Sequence, residues 1–514
     1  MKILFHFITT FCCLFLFGCS TSNEAITTSE KPNIVFLFAD DMTYTAINAL
    51  GNSEIQTPNL NRLVNNGTTF TMAYNMGAWN GAVCAASRAM MISGRYVWDA
   101  YEFRKKWGKR DTIHYNQSWG KLMEGAGYDT YMTGKWHVDA PADKVFQHVK
   151  HIRPGMPGDE WKHYKMIRQL KLVVGQQEVD GKLVTAEDVM PLGYNRPKNG
   201  NDTTWSPVDP KHGGFWEGGK HWSEVLKDDA LGFIDQAKNK TNPFFMYLAF
   251  NAPHDPRQAP QAYIDKYPLE NITLPKSWLP EYPNKEAIGN GQDLRDEALA
   301  PFPRTEYAIK KHIQEYYAII THLDTQIGEI LDALKASGKM DNTYIFFTAD
   351  HGLSVGRHGL LGKQSLYDHS IRPPLMVMGP DILKGQKVQN DIYLQDIMAT
   401  SLELAAIDKP NYVDFNSFLS QAKGATTKGN YQAIYGGYMK VQRMIRKDGF
   451  KLIFYPRLNQ LLLFDLENDP EEIQDVSESN PEKVQVLFKD LITLQKKMKD
   501  KVDLQPYYDA LYMD

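Results

Sequence analysis

Asn33-Ile34-Val35-Phe36-Leu37-Phe38-Ala39-Asp40-Asp41 is an unbroken apolar run, rich in branched and aromatic side chains, that stops abruptly at two carboxylates. A run with no polar face is the pattern of a β-strand buried on both sides, as in a parallel sheet covered by helices. Two adjacent carboxylates at the end of such a strand repel each other in a poorly solvated place. A divalent cation is the simplest way to satisfy both.

The pattern returns along the chain. Residues 128–133 alternate into a strand that closes on Gly134-Lys135-Trp136-His137, where Lys135 and His137 are two apart and share a face if the chain is extended. Residues 243–250 form another buried run, followed at once by Asn251-Ala252-Pro253-His254. A third, 343–348, delivers Ala349-Asp350-His351-Gly352, and a glycine-rich loop through Lys363 leads to one more strand at 373–378. Ile309, Ile313, Tyr316, Ile320, Leu323, Ile327, Ile330 and Leu334 keep a helical period over residues 306–335, and Thr57 before Pro58 reads as the cap of a shorter helix. The fold expected is α/β, with a large mixed, mostly parallel sheet flanked by helices. In an open parallel sheet the strand ends gather on one edge, so Asp40, Asp41, His137, His254, Asp350 and His351 are expected to converge there.

Of four cysteines, Cys12, Cys13 and Cys19 fall in an N-terminal apolar segment, which leaves Cys84 as the one thiol expected in the folded part. A lone cysteine in an exported protein is a reactive group or a buried apolar one. If residues 87–93 are helical, Cys84 lies just before a helix N-terminus, where free N–H groups favour an anion, and Arg88 one turn in can reach back with a planar fork suited to the oxygens of an anion.

Cys84, Arg88 and Gly94-Arg95, together with Asp40-Asp41, Gly134 to His137 and Asp350 to Lys363, resemble the type I sulfatases of the alkaline-phosphatase superfamily, over roughly residues 31–472. The resemblance implies a sulfuric ester hydrolase in which a maturing enzyme oxidises Cys84 to formylglycine, whose hydrate is the nucleophile. It implies one divalent cation held by Asp40, Asp41, Asp350, His351 and the modified residue 84, with Lys135 and Lys363 on the sulfate. It places His254 at the leaving oxygen and His137 at the step that releases sulfate. The sequence departs from the family at Ala86, where proline is usual, which bears on the type of maturing enzyme, and at His351, where many members carry asparagine. A set made mostly of carboxylate oxygens favours Ca²⁺ over Mg²⁺ or Mn²⁺.

Residues 205–222, with four tryptophan or phenylalanine side chains among glycines, read as a long loop. Its aromatics either peg the loop to the core or form a sugar platform, with His212, Lys220 and His221 in reach of an anionic glycan. Short strand-like runs at 432–435, 442–445, 451–455 and 461–464, then a charged amphipathic helix at 481–499, predict a smaller C-terminal antiparallel subdomain at 421–514 after a catalytic domain at 32–420. The apolar leader ending in Leu16-Phe17-Gly18-Cys19 resembles a lipoprotein signal peptide (1–19), with a lipid on Cys19 and a polar tether at 20–31. That predicts an exported lipoprotein, periplasmic or at the cell surface, anchored in the outer membrane only by its lipid. A net charge of -4 offers no polybasic surface for nucleic acid. The expected substrate is a sulfated carbohydrate, an algal polysaccharide such as ulvan, carrageenan or fucoidan, a glycosaminoglycan, or their oligosaccharides. Two other readings stand beside it: a phosphoester or phosphonate monoester hydrolase on the same scaffold, and a non-catalytic lipoprotein that binds sulfated glycan with Cys84 unmodified.

Overall fold

The strand opened by Asn33 lies inside an eight-stranded sheet in which its every residue is buried. The computed structural model describes residues 31–157, 163–190, 198–202, 205–212, 214–300 and 302–513. The expected leader, with Cys12, Cys13 and Cys19, and the tether through residue 30 lie outside the described residues. No helix among them is long and apolar enough to cross a membrane.

The strands of the two larger sheets are β1 (Asn33–Ala39), β2 (Thr68–Phe70), β3 (Gly77–Ala78), β4 (Asp129–Lys135), β5 (His148–Arg153), β6 (Phe244–Ala249), β7 (Thr343–Ala349), β8 (Leu375–Met378) and β9 (Gln386–Val388), followed by β10 (Ile434–Tyr438), β11 (Gln442–Lys447), β12 (Phe450–Tyr455) and β13 (Gln460–Asp465). The helices that matter to the site are α1 (Pro58–Asn66), α2 (Val83–Ser93), α3 (Trp222–Ala237), the single turn α4 (Arg295–Ala298), α5 (Glu306–Ala336) and α6 (Pro481–Lys497). The large sheet runs β9-β2-β8-β7-β1-β6-β4-β5. Its half from β7 to β5 is parallel, and β8 is antiparallel to both neighbours, so the sheet is mixed but mostly parallel. The smaller sheet runs β13-β12-β11-β10-β3; its four C-terminal strands are antiparallel, and its edge β3 comes from residues 77–78, far upstream.

Alternation along β1 explains why it has no polar face. Ile34, Phe36 and Phe38 point into an apolar cluster that runs on through α2 to the C-terminal sheet and α6, while Val35, Leu37 and Ala39 point into a second cluster with α3 and α5. Full burial of each such large side chain stabilises by about 1.5–3 kcal/mol. Both faces therefore demand apolar residues.

Three local expectations change. Thr57 does not cap α1: its hydroxyl accepts the Asn48 N–H (2.9 Å), and the Asn59 and Leu60 N–H groups are accepted instead by the Asp324 carboxylate of α5 (3.1 and 2.7 Å). A cap supplied from 265 residues away leaves no local signal. Burial lifts Asp324 to about 6, against the pull of those bonds. Helix α2 begins at Val83, so Cys84 sits inside its first turn rather than ahead of it. Finally, the stretch expected to be a loop up to Trp222 contains a short hairpin (Trp216–Glu217 with Lys220–His221), and α3 starts at Trp222.

Candidate active site

Register brings the strand ends together. Ala39 pairs with Ala349, Phe38 with Ala249, and Ala249 with Gly134, so the residues that follow leave the sheet side by side. Backbone bonds tie these exits to one another: Asp40 N–H donates to Ala252 (3.1 Å), Asp350 N–H to Ala39 (3.3 Å), and Asp41 N–H to the Asp350 carboxylate (3.2 Å). Asp41 is left-handed at φ 68, a conformation aspartate tolerates better than most residues, and the Tyr316 hydroxyl donates to its carbonyl at 2.7 Å. Gly134 has φ 93, and a Cβ there would stand 1.9 Å from the Ala249 carbonyl oxygen, so only glycine lets β4 deliver Lys135 this close to β6.

Asp40, Asp41, Arg88, Lys135, Asp350 and His351 are wholly buried. Lys135 makes an ion pair with Asp40. Arg88 donates from Nε to Asp350 (2.9 Å) and from Nη1 to the Lys135 carbonyl (2.9 Å), with its guanidinium 4.6 Å from the Phe38 ring centroid. Above them, Cys84 Sγ lies 3.3 Å from Lys363 Nζ, 3.4 Å from His351 Nε2 and 3.9 Å from Asp41. Lys363 reaches both Asp41 oxygens (2.9 and 2.8 Å), and His254 Nε2 lies 3.8 Å from Asp41. The ten residues that the family resemblance implies for the site thus gather at one sheet edge, with His137 beside Cys84 in the lining of the cleft above them.

They divide into two levels. Cys84, His137, His254 and Lys363 line a cleft of 670 Å³, whereas Arg88 and Lys135 lie beneath it. Lys135 and His137 do not share a face, because His137 takes φ 54 and the chain turns out of the extended conformation between them. Nor do His212, Lys220 and His221 reach the cleft. His221 Nδ1 accepts the Ser223 N–H (3.1 Å) and caps α3, Lys220 pairs with Asp228 (2.7 Å), and Trp205 and Trp216 donate to Glu315 (2.5 Å) and Gln258 (2.6 Å) as pegs holding the segment to the core.

Burial would push the Cys84 thiol up, but Lys135, Lys363 and His351 outweigh it and hold it well below the usual thiol range. Asp40 is raised well above a normal carboxyl by burial, then by Asp350 and Cys84. Burial also works against ionised Asp350, yet His351 and Arg88 bring it down to about 2. His351 is drawn the other way: burial lowers it, and Asp350, Asp41 and Cys84 lift it to about 9. His137 is lowered, chiefly by burial, and so is neutral and able to accept a proton.

The donor set fits a hard divalent cation. Asp40, Asp350, His351 and Cys84 form one group, and Asp40, Asp41, His254 and Cys84 another, with one ligand atom from each residue within 4.8 Å of the rest of its group. Asp40 Oδ1 is buried with no hydrogen-bond partner, an acceptor that a cation would satisfy. His351 Nδ1 donates to the Gly352 carbonyl (2.8 Å), which turns Nε2 toward Cys84 and the carboxylates.

Asp255, Arg295 and Asp296 also line or flank the cleft and were not singled out in the sequence. Asp255 could have been found as the neighbour of His254. Arg295 and Asp296 sit in a stretch with neither strand nor helix periodicity, which gave no signal.

Residues 32–407 match the sulfatase family, and residues 356–501 match the C-terminal region of N-sulphoglucosamine sulphohydrolase. The chain is 29% identical to an arylsulfatase of Clostridium perfringens, over 90% of this chain and 94% of that one. A protein solved in complex with its substrate D-glucosamine-2-N,6-O-disulfate superposes with a TM-score of 0.67 at 21% identity, covering 92% of this chain and 99% of that chain. The phosphonate monoester hydrolase of Agrobacterium radiobacter shares the fold, with a TM-score of 0.64 at 18% identity over 91% and 96% of the two chains.

Proposed function

The chain belongs to the sulfatase family, whose members are sulfuric ester hydrolases, and from that premise we propose that it releases sulfate from a sulfated carbohydrate, with Cys84 oxidised to formylglycine. The observation that supports this most is the meeting of Cys84 with three carboxylates, His351 and Lys363 at the base of a cleft that also holds His137, His254 and Arg295. A carbohydrate is favoured because the C-terminal match is to an enzyme acting on N-sulphoglucosamine and a solved neighbour holds a disulfated glucosamine.

The net reaction adds water to a sulfate ester and yields an alcohol and sulfate. Hydrated formylglycine at position 84 would supply the attacking oxygen. Asp40, Asp41, Asp350 and His351 would hold the cation, for which we propose Ca²⁺, and such an ion supplies charge stabilisation for the sulfuryl oxygens. Lys135, wholly buried, and Lys363, almost wholly buried at the base of the cleft, add fixed positive charge, which acts more strongly away from bulk water. His254 faces the cleft as donor to the departing sugar oxygen, worth typically about 10²–10⁴ in rate. Neutral His137 accepts the proton of the second hydroxyl on residue 84 as sulfate leaves.

Chelation should abolish activity and added Ca²⁺ restore it. The test of the whole reading is a panel of defined sulfated oligosaccharides beside matched phosphate esters, with the protein produced together with a sulfatase-maturing enzyme. Sulfate release with little phosphate release is expected, and preferential phosphate release would move the assignment to the phosphoester branch. The lipobox pattern around Cys19 supports export and lipid anchoring; palmitate labelling that survives Cys19→Ala would argue against it.

A further inference from the structure

The single turn α4 commits three consecutive side chains to two separate segments of the site. Arg295 forms an ion pair with Asp255, and its other terminal nitrogen lies 2.5 Å from Asp296. Asp255 stands 3.4 Å from His254 Nδ1, which itself donates to the Asp255 carbonyl at 2.7 Å. Asp296 accepts from Gln364 (2.8 Å) and lies 3.8 Å from Lys363 Nζ. Next in line, Glu297 accepts the Leu361 and Gly362 N–H groups (3.0 and 3.1 Å) and is held by Arg304 at 2.5 Å. At Gly362 a Cβ would stand 2.8 Å from the Asp296 Cβ and 2.5 Å from Gln364 Oε1, so a glycine there admits α4 at this distance.

Charge alternates along the row His254, Asp255, Arg295, Asp296, Lys363, and apart from Arg295 every member is almost wholly buried. His254 cannot rotate freely, because Nδ1 is fixed by Asp255 while Nε2 faces Asp41 and the cleft. Lys363 is held between Asp41 and Asp296.

We propose that Asp255, Arg295 and Asp296 are positioning residues that hold His254 and Lys363 on the leaving-group side of Cys84. Their effect then depends on the alcohol released, since a sugar oxygen must gain a proton as it departs whereas a nitrophenolate need not. Displacing a catalytic group by about 1 Å can cost about 10²-fold in rate. This inference rests on the proposed reading of the cleft as an ester hydrolase site and of His254 as the donor.

The test compares Arg295→Met, Asp296→Asn and Arg295→Lys with the wild type on 4-nitrophenyl sulfate, on a set of monosaccharide sulfates, and on the corresponding phosphate esters. Arg295→Met and Asp296→Asn should lose about 10²-fold in kcat on the sugar ester with KM within about threefold. Their loss on the nitrophenyl ester should be at least about tenfold smaller. Arg295→Lys, which keeps the charge without the fork, should recover part of the sugar activity, separating position from simple misfolding. Equal losses on both esters, or a raised KM with kcat retained, would overturn the brace. A wild type that cleaves only phosphate esters overturns the sulfatase reading instead, and the same split on the phosphate pair then decides the brace by itself. A wild type inert to both ester classes overturns both.

Discussion

Asp40, Asp41, Lys135 and Asp350 on the floor of the site are delivered by parallel strands of one sheet in fixed register, whereas Glu286, Asp293, Met439 and Arg457 on the cleft wall come from turns in separate segments. The floor is sealed and each of its groups faces an opposite charge. The wall is partly exposed and includes Arg457, at the turn between β12 and β13, which donates to the Glu286 carbonyl at 3.5 Å. A register error would scatter the floor, while a wall residue can change without disturbing the sheet. The chemistry is therefore tied to the fold, and the choice among substrates is left to the turns that build the wall.

The largest effect separating the two is expected at the floor. Asp350→Asn leaves Arg88 buried opposite a neutral amide, which should destabilise the fold by about 3–5 kcal/mol and lower kcat by on the order of 10³-fold. Denaturant unfolding and sulfate release on the same preparation check both. A variant with wild-type stability would mean that the Arg88 pair is not the tie it is taken for. At the wall, Arg457→Ala should raise KM for a sulfated oligosaccharide about tenfold, or about 1.4 kcal/mol, with a smaller effect on an aryl sulfate. A drop confined to kcat would move Arg457 from the wall to the reaction.

The smallest effect is expected at Asp324, remote from both. Its folded pKa of about 6 lies above that of an unfolded aspartate, so the stability it contributes is present in acid and is lost as pH rises through about 6. Asp324→Asn removes that dependence. Its melting temperature relative to wild type should therefore improve between pH 4 and pH 7, with kcat little changed. A difference that does not vary with pH would show that the carboxylate is ionised throughout.

The same contrast explains what the sequence disclosed. The floor was legible because a strand buried on both faces must be apolar, so the first carboxylate after it stands out at Asp40 and Asp350, while Lys135 was marked by the Gly134-Lys135-Trp136-His137 string that closes its strand. The backbone of His137 was not legible: nothing in Gly134-Lys135-Trp136-His137 announces a left-handed histidine, and the two-residue spacing suggested a shared face that the turn abolishes. Long-range capping hid in the same way. Thr57 carried the local signal of a cap, while the true acceptor, Asp324, is a buried residue in the middle of another helix. The brace of Asp255, Arg295 and Asp296 depends on three segments meeting, and charged residues in loops carry no periodicity to betray it.

Everything proposed for the reaction turns on the chemical state of position 84. Mass spectrometry of the Cys84 peptide, taken from protein that is actively releasing sulfate, should find sulfur lost and oxygen gained, and Cys84→Ala should release no sulfate above background. An intact thiol in fully active protein, or an active Cys84→Ala variant, would contradict the assignment.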